Sequence, residues 1–244
     1  MKDRPGRVPR LFVDAALAPR SRLLLSEDAA HHAARVLRLG DGDAVTLFDG
    51  RGGEYAARLQ MPSRGRVLAE TAEFRAVERE SSLAVTLVQA LSSSEKMDFT
   101  IQKASELGVA AIQPVLSARS VVRLSVEREA KKLERWRRVA IAACEQCGRN
   151  RIPDLLEPLP LDRYAAPAGA AKLLLSPAGS AKLAGLARSP LVLAIGPEAG
   201  FSEAEEQQLQ RDGFVPVRIG PRVLRTETAA LAALAALNAL AGDF

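Results

Sequence analysis

From residue 83 onward the chain alternates short apolar runs with segments of helical periodicity, and this pattern leaves few folds open. Leu83–Val88, Lys172–Leu175 and Leu191–Ile195 are nearly continuous apolar stretches. A strand that is apolar on both faces must be covered on both, and a parallel sheet with helices on its two sides does this. The intervening segments read as those helices. Ser94 is placed to cap a helix through Leu107 that Gly108 stops. A helix over about Glu127–Cys147 puts Leu133, Trp136, Ala140 and Ala143 on one stripe. Ser202-Glu203-Ala204-Glu205 is a capping box opening a helix to Asp212, with Gly213 after it. Phe214–Ile219 is the last strand, and Thr226 a candidate cap for the final helix. Pro114 within Ala111–Leu116 suggests a strand at an edge or an end.

The first 75 residues follow another rhythm. Arg22–Leu25 is a short strand, and Ser26 caps a helix over Glu27–Arg35. Val45–Phe48 and Glu54–Leu59 flank the turn Asp49-Gly50-Arg51-Gly52-Gly53 as a hairpin, and Arg66–Phe74 adds a strand. A small closed or half-closed barrel fits these elements. Residues 75–82 are polar and aperiodic. The expected organisation is therefore a β-barrel domain over 1–75, a linker over 76–82 and an α/β domain over 83–244.

Charge narrows the partners. The net charge of +5 is concentrated: residues 1–22 carry +4 and residues 119–151 carry +6, while the rest is net negative. Clustered positive charge is the footprint expected for phosphate backbones. No apolar run reaches the ~20 residues of a membrane span. Ala229–Ala241 is too short, and the basic start Met1–Arg7 has no apolar stretch after it, so a cytoplasmic protein is expected. Cys144 and Cys147 form a lone C-x-x-C. A metal site would need further ligands, but the only histidines are the distant His31 and His32. A redox pair normally opens a helix, whereas this one falls within a helical stretch and reads as two small helix residues.

Two strands end in Gly-Pro loops that lead into helices, Ile195-Gly196-Pro197 and Ile219-Gly220-Pro221. Ligands of open α/β sheets bind beyond the carboxyl ends of strands, where glycine lets backbone approach closely. A small-molecule site is expected there. Neither G-x-x-x-x-G-K-[ST] nor a strand-to-helix G-x-G-x-x-G is present, which disfavours P-loop, kinase-type and nicotinamide ligands.

Gly196-Pro197-Glu198-Ala199-Gly200-Phe201-Ser202, followed by Ile219-Gly220-Pro221-Arg222-Val223-Leu224-Arg225-Thr226-Glu227-Thr228-Ala229, resembles the signature of the SPOUT class of RNA methyltransferases, and within it the RsmE family. The resemblance extends to Arg10–Val13 and His31–Arg38, similar to that family's PUA-like domain, to Lys96–Gly108 and to Glu145–Asn150. The family pattern usually reads Gly-Pro-Glu-Gly-Gly, and Ala199 stands at its middle glycine. If that position takes φ > 0, alanine would be strained there.

The resemblance implies a fold: a parallel-sheet SPOUT-type domain with a C-terminal trefoil knot, preceded by a small PUA-like β-barrel. It implies methylation of N3 of a uridine in 16S ribosomal RNA of the small subunit by a homodimer, with S-adenosylmethionine as cofactor, no metal and no membrane. The cofactor residues it implies are Leu175, Ser176, Ile195, Gly196, Pro197, Glu198, Gly200, Ile219, Gly220, Arg222, Val223 and Leu224. Arg225 is the candidate for stabilising a uracil oxygen or positioning a phosphate, and Glu198 or Glu227 for taking the N3 proton. RNA contacts are expected from Arg4, Arg7, Arg10, Arg119, Arg123, Arg149 and Arg151. An aromatic content of 4% argues against a base-stacking platform. Three other readings stand beside this one: the same chemistry on transfer or 23S ribosomal RNA, a non-catalytic ribosome-assembly factor, and a redox protein using the cysteines.

Overall fold

The computed structural model describes residues 8–63, 65–120 and 126–244. They divide into two compact units. The first comprises the described residues up to Glu80 together with Cys144–Ile152, and the second Ser81–Ala143 with Pro153–Phe244.

The first unit is a five-stranded sheet. Its strands are β1 (Arg10–Phe12), β2 (Arg22–Leu24), β3 (Ala44–Phe48), β4 (Glu54–Ser63) and β5 (Arg66–Arg75), in the order β1-β3-β4-β5-β2. β1 runs parallel to β3 and the other pairs are antiparallel. Alternate residues of the long hairpin, Ala57 and Leu59 on β4 and Val67 and Ala69 on β5, pack with Leu11, Val45 and Leu47 into one core. The helix α1 (Glu27–His31) closes on that core through Ala30; Ser26 Oγ accepts from Ala29 N–H at its start, and it ends in a π-helical turn over His32–Val36.

The segment Cys144–Ile152 belongs to this unit because of a buried polar network. Arg10 donates to Glu54 Oε2 and to Asn150 Oδ1, each at 2.5 Å. Asn150 Nδ2 donates to the Val77 carbonyl, Arg149 pairs with Glu80, and Glu145 Oε1 accepts from Phe12 N–H. Arg10 and Arg149 are 8% and 3% exposed. Their placement corrects the expectation that they contact RNA: each guanidinium is buried against a carboxylate, where a phosphate has no access. Through this network a stretch from the middle of the chain joins the N-terminal unit.

The second unit is a parallel sheet. Its strands are β6 (Val85–Ala90), β7 (Ala111–Leu116), β8 (Asp154–Leu155), β9 (Leu159–Pro160), β10 (Ala171–Leu175), β11 (Leu191–Ile195) and β12 (Val215–Val217). The order is β12-β10-β11-β6-β7-β8, with β9 also on β7. Pro114 is not on a free edge. The outer neighbours of β7 are two short strands, β8 opposite Ala111 and Ile112 and β9 opposite Val115 and Leu116, so the proline falls where neither pairs. All of β11 is buried, as its unbroken apolar run requires.

The helices of this unit are α2 (Ser94–Glu106), α3 (Val126–Cys147, whose last four residues belong to the first unit), α4 (Glu203–Arg211) and α5 (Thr226–Ala241). Ser93 rather than Ser94 occupies the cap of α2, and it makes no side-chain bond there. The capping box of α4 is complete: Ser202 Oγ accepts from Glu205 N–H, and Glu205 Oε2 accepts from Ser202 N–H. Arg225 rather than Thr226 takes the cap position of α5. That helix buries Ala230, Ala233, Leu234 and Leu237 and packs against α2, where Asn238 Nδ2 donates to the Leu107 carbonyl at 2.7 Å. No helix among the described residues is long and apolar enough to cross a membrane.

Candidate active site

After β12 the chain does not stay at the edge of the sheet. α5 begins beside β6, so residues 218–225 pass back over the carboxyl ends of β10 and β11. The start of α5 is held by a short relay: Gln89 Nε2, on β6, donates to Thr226 Oγ1 at 2.9 Å, and the Thr226 hydroxyl donates to the Gly196 carbonyl at 2.7 Å. The expected cap residue thus bonds across to the loop after β11 instead of to its own helix.

A pocket opens where these segments meet. Leu175, Ser176 and Pro177 come from the end of β10, and Ile195–Glu198 with Gly200 and Phe201 from the loop after β11. Arg218, Ile219 and Arg222–Leu224 come from the returning chain, Glu206 from α4, and Thr226 and Ala229 from α5. The loop after β11 folds tightly on itself. A Cβ on Gly196 would lie 2.8 Å from Phe201 N and 3.1 Å from Gly200 C, so only glycine fits. The one left-handed residue of Gly196–Phe201 is Gly200, at φ +69°. Ala199 is not left-handed, so alanine carries no strain at that position.

Eleven of the twelve residues expected to hold the cofactor line this pocket; Gly220, at φ +78° in the returning chain, does not. Pro177, Phe201, Glu206, Arg218, Thr226 and Ala229 line it without having been expected. Gln89 was missed as well, and its signal was a polar residue inside the apolar run of β6.

Glu198, which lines the pocket, belongs to a group of four charged side chains with Lys96, Arg225 and Glu227. Lys96, in the first turn of α2, donates to Glu198 Oε1 at 2.8 Å. Burial alone would raise the Glu198 carboxyl, but the Lys96 hydrogen bond and charge outweigh it and hold the carboxyl below the ordinary range. Lys96 is raised in turn, first by the hydrogen bond to Glu198 and further by the charge of Glu227, against the nearby Arg225. Glu227 Oε2 is buried and has no hydrogen-bond partner among the described residues. Lys96 lies in a helix that the sequence singles out, yet nothing in the sequence places it against Glu198.

Of the arginines expected to meet RNA, Arg4, Arg7 and Arg123 lie outside the described residues. Arg151 is half-exposed and pairs with Glu78, and Arg119 is exposed with Nη1 donating to the Ala199 and Phe201 carbonyls. Cys144 and Cys147, at the end of α3, form no disulfide. The Cys144 thiol is pushed up by its hydrogen bond with Cys147 and by burial, which suits an inert packing residue. No cluster of metal-ligating side chains is present among the described residues.

Known proteins share this architecture. A model of the RNA methyltransferase domain matches residues 79–238, and one of the RNA methyltransferase PUA domain matches residues 25–71. Ribosomal RNA small subunit methyltransferase E of Buchnera aphidicola is 32% identical over 98% of this chain and 96% of its own length. The Bacillus subtilis protein of that name is 33% identical over 88% of each chain. Among solved structures, the Neisseria gonorrhoeae methyltransferase E bound to S-adenosyl methionine superimposes with a TM-score of 0.89 at 41% identity, over 98% of this chain and 100% of that one. A candidate methyltransferase from Legionella pneumophila, in complex with the bound cofactor SAM, gives a TM-score of 0.93 at 40% identity over the same shares. With its parallel sheet, its N-terminal PUA domain and relatives of this identity along nearly its whole length, the chain belongs to the RsmE family of RNA methyltransferases.

Proposed function

We propose that this chain transfers a methyl group from S-adenosylmethionine to N3 of a uridine in 16S ribosomal RNA of the small subunit. The observation that carries the reading is the pocket at the carboxyl ends of β10 and β11, lined by Glu198, whose partner Lys96 also feels the charges of Arg225 and Glu227. The pocket fits the cofactor in kind. Leu175, Ile219 and Leu224 offer apolar edges for an adenine, Gly196 offers backbone, and Glu206 and Ser176 offer polar oxygens. When bound, S-adenosylmethionine supplies a methyl group on a sulfonium leaving group.

The chain's own residues must deal with the uracil. Its N3 is a poor nucleophile until the proton leaves, and negative charge then spreads over the two flanking carbonyl oxygens. Arg225 would meet that charge with a planar donor fork. Of the two candidate bases, Glu198 is engaged by Lys96 and held ionised, which weakens it as a proton acceptor. Glu227 has an unengaged oxygen and is the group we assign to accept the N3 proton as the N–CH3 bond forms.

Two further parts of the reading rest on topology and surface. The return of residues 218–225 across β10 and β11 supports a knotted C-terminus. Exposed Phe99 on α2 and Leu240 on α5 support a homodimer formed by these packed helices.

The deciding experiment incubates the chain with methyl-labelled S-adenosylmethionine and small subunits from a strain lacking the activity, then maps the label. Label at a uridine N3 of 16S RNA is expected; label on another atom or RNA would overturn the assignment. Glu227→Gln should lower kcat by about 100-fold, the usual scale for a lost general base, and Glu198→Gln by much less. The reverse order would move the base to Glu198.

A further inference from the structure

Residues 117–120, directly after β7, form a tight turn. Ser120 N–H donates to the Ser117 carbonyl at 3.0 Å, and Ser117 N–H to Ser120 Oγ at 3.1 Å. The turn is tied at two places to the segment after β11. Ala118 N–H donates to Glu205 Oε1 at 2.7 Å, while the other oxygen of Glu205 completes the capping box with Ser202. Arg119 Nη1 donates to the carbonyls of Ala199 at 3.0 Å and Phe201 at 3.2 Å.

Those two carbonyls bracket Gly200, the left-handed residue that brings Phe201 back onto Gly196. The close approach of Gly196 to Phe201 N is therefore held from outside by one guanidinium. A planar, permanently charged group suits this role, since it can satisfy two carbonyls without changing protonation state.

We infer that Arg119 is a positioning residue for the cofactor loop rather than a contact to RNA phosphate. Its bonds fix the Ala199 and Phe201 carbonyls, and through them the backbone from Gly196 to Phe201 that lines the pocket. The inference rests on the reading above that this loop holds S-adenosylmethionine. It also gives the turn after β7 a structural link to the cofactor loop that the sequence does not announce.

The test is calorimetric titration of the full chain with S-adenosylmethionine in the absence of RNA. Arg119→Ala should weaken binding about tenfold or more, the scale of one or two lost charge-assisted hydrogen bonds. Arg119→Lys, which keeps the charge without the fork, should recover part of the affinity. In steady-state assays on small subunits, KM for S-adenosylmethionine should rise in Arg119→Ala while kcat at saturation stays within about twofold. If Arg119→Ala does not fold, Arg119→Gln and Arg119→Lys carry the same comparison. A phosphate contact would behave in the opposite way: cofactor affinity unchanged in every variant, and the salt dependence of RNA binding reduced by about one charge. That result overturns the inference. Wild-type chain that fails to bind S-adenosylmethionine would sink the cofactor reading itself, and the positioning role with it.

Discussion

Gly196 and Ala199 sit three residues apart in one loop, and opposite constraints act on them. At Gly196 any side chain meets backbone at 2.8 Å, which no rotamer can relieve. At Ala199 the backbone is not left-handed, because Gly200 alone takes that conformation within Gly196–Phe201. Gly196→Ala should therefore displace the loop and weaken S-adenosylmethionine binding by about tenfold or more, an effect of ~1.4 kcal/mol or above. Ala199→Gly should change it by less than about threefold and cost at most ~1 kcal/mol of stability through chain entropy. Calorimetry on the two variants checks both; equal losses would mean that the tight approach at Gly196 is not what shapes the loop. The Gly-Pro-Glu-Ala-Gly motif marked this loop in the sequence. Which glycine is sterically required, and which is required for its φ, emerged only from the packed backbone.

At the scale of elements, the helix starts divide into local and non-local ones. The start of α4 is local: Ser202 and Glu205 satisfy each other's backbone within four residues, and the sequence pattern announces it. Ser202→Ala should cost about 1 kcal/mol and lower the melting temperature by ~2–4 °C, measurable by calorimetry; no change would show that Ala118 N–H alone holds Glu205. The start of α5 is non-local. Thr226 looks like a cap by residue type, yet its hydroxyl bonds to Gly196 and receives a bond from Gln89. The proline of β7 misled in a similar way, since a missing donor is tolerated wherever no neighbour asks for it, and β8 and β9 leave such a gap.

For the molecule as a whole, basic residues near both ends of one network turn out to be internal. Arg10 and Arg149 raise the positive charge of their segments, and charge alone suggests an RNA surface, but each is neutralised by a buried or half-buried carboxylate. Burial alone would raise the Glu54 carboxyl; Arg10 and Arg79 outweigh it and hold it below the ordinary value. A depressed folded pKa gives stability that is present above the unfolded value, about 4.3, and is lost as pH falls through the folded value. The wild type should thus lose stability below about pH 4.3 more steeply than Glu54→Gln. At neutral pH that variant should already be weaker by ~3 kcal/mol, from the unpaired buried Arg10. Urea titrations across pH measure both; parallel pH profiles would remove Glu54 from the acid transition.

The sequence by itself determined the parallel sheet, the β-rich N-terminal domain, the capping box and the two Gly-Pro loops that line the pocket. All of these arise from periodicity or from contacts within a few residues. Tertiary structure alone decided what depends on segments far apart in the chain. It brought Lys96 to Glu198 across 102 positions and Arg10 to Asn150 across 140. It set Arg119 on the loop after β11 and drew Cys144–Ile152 into the first unit. An exposed arginine and a buried one have the same letter and the same charge. Only the position of their partners, fixed by the packing of strands and helices, tells them apart.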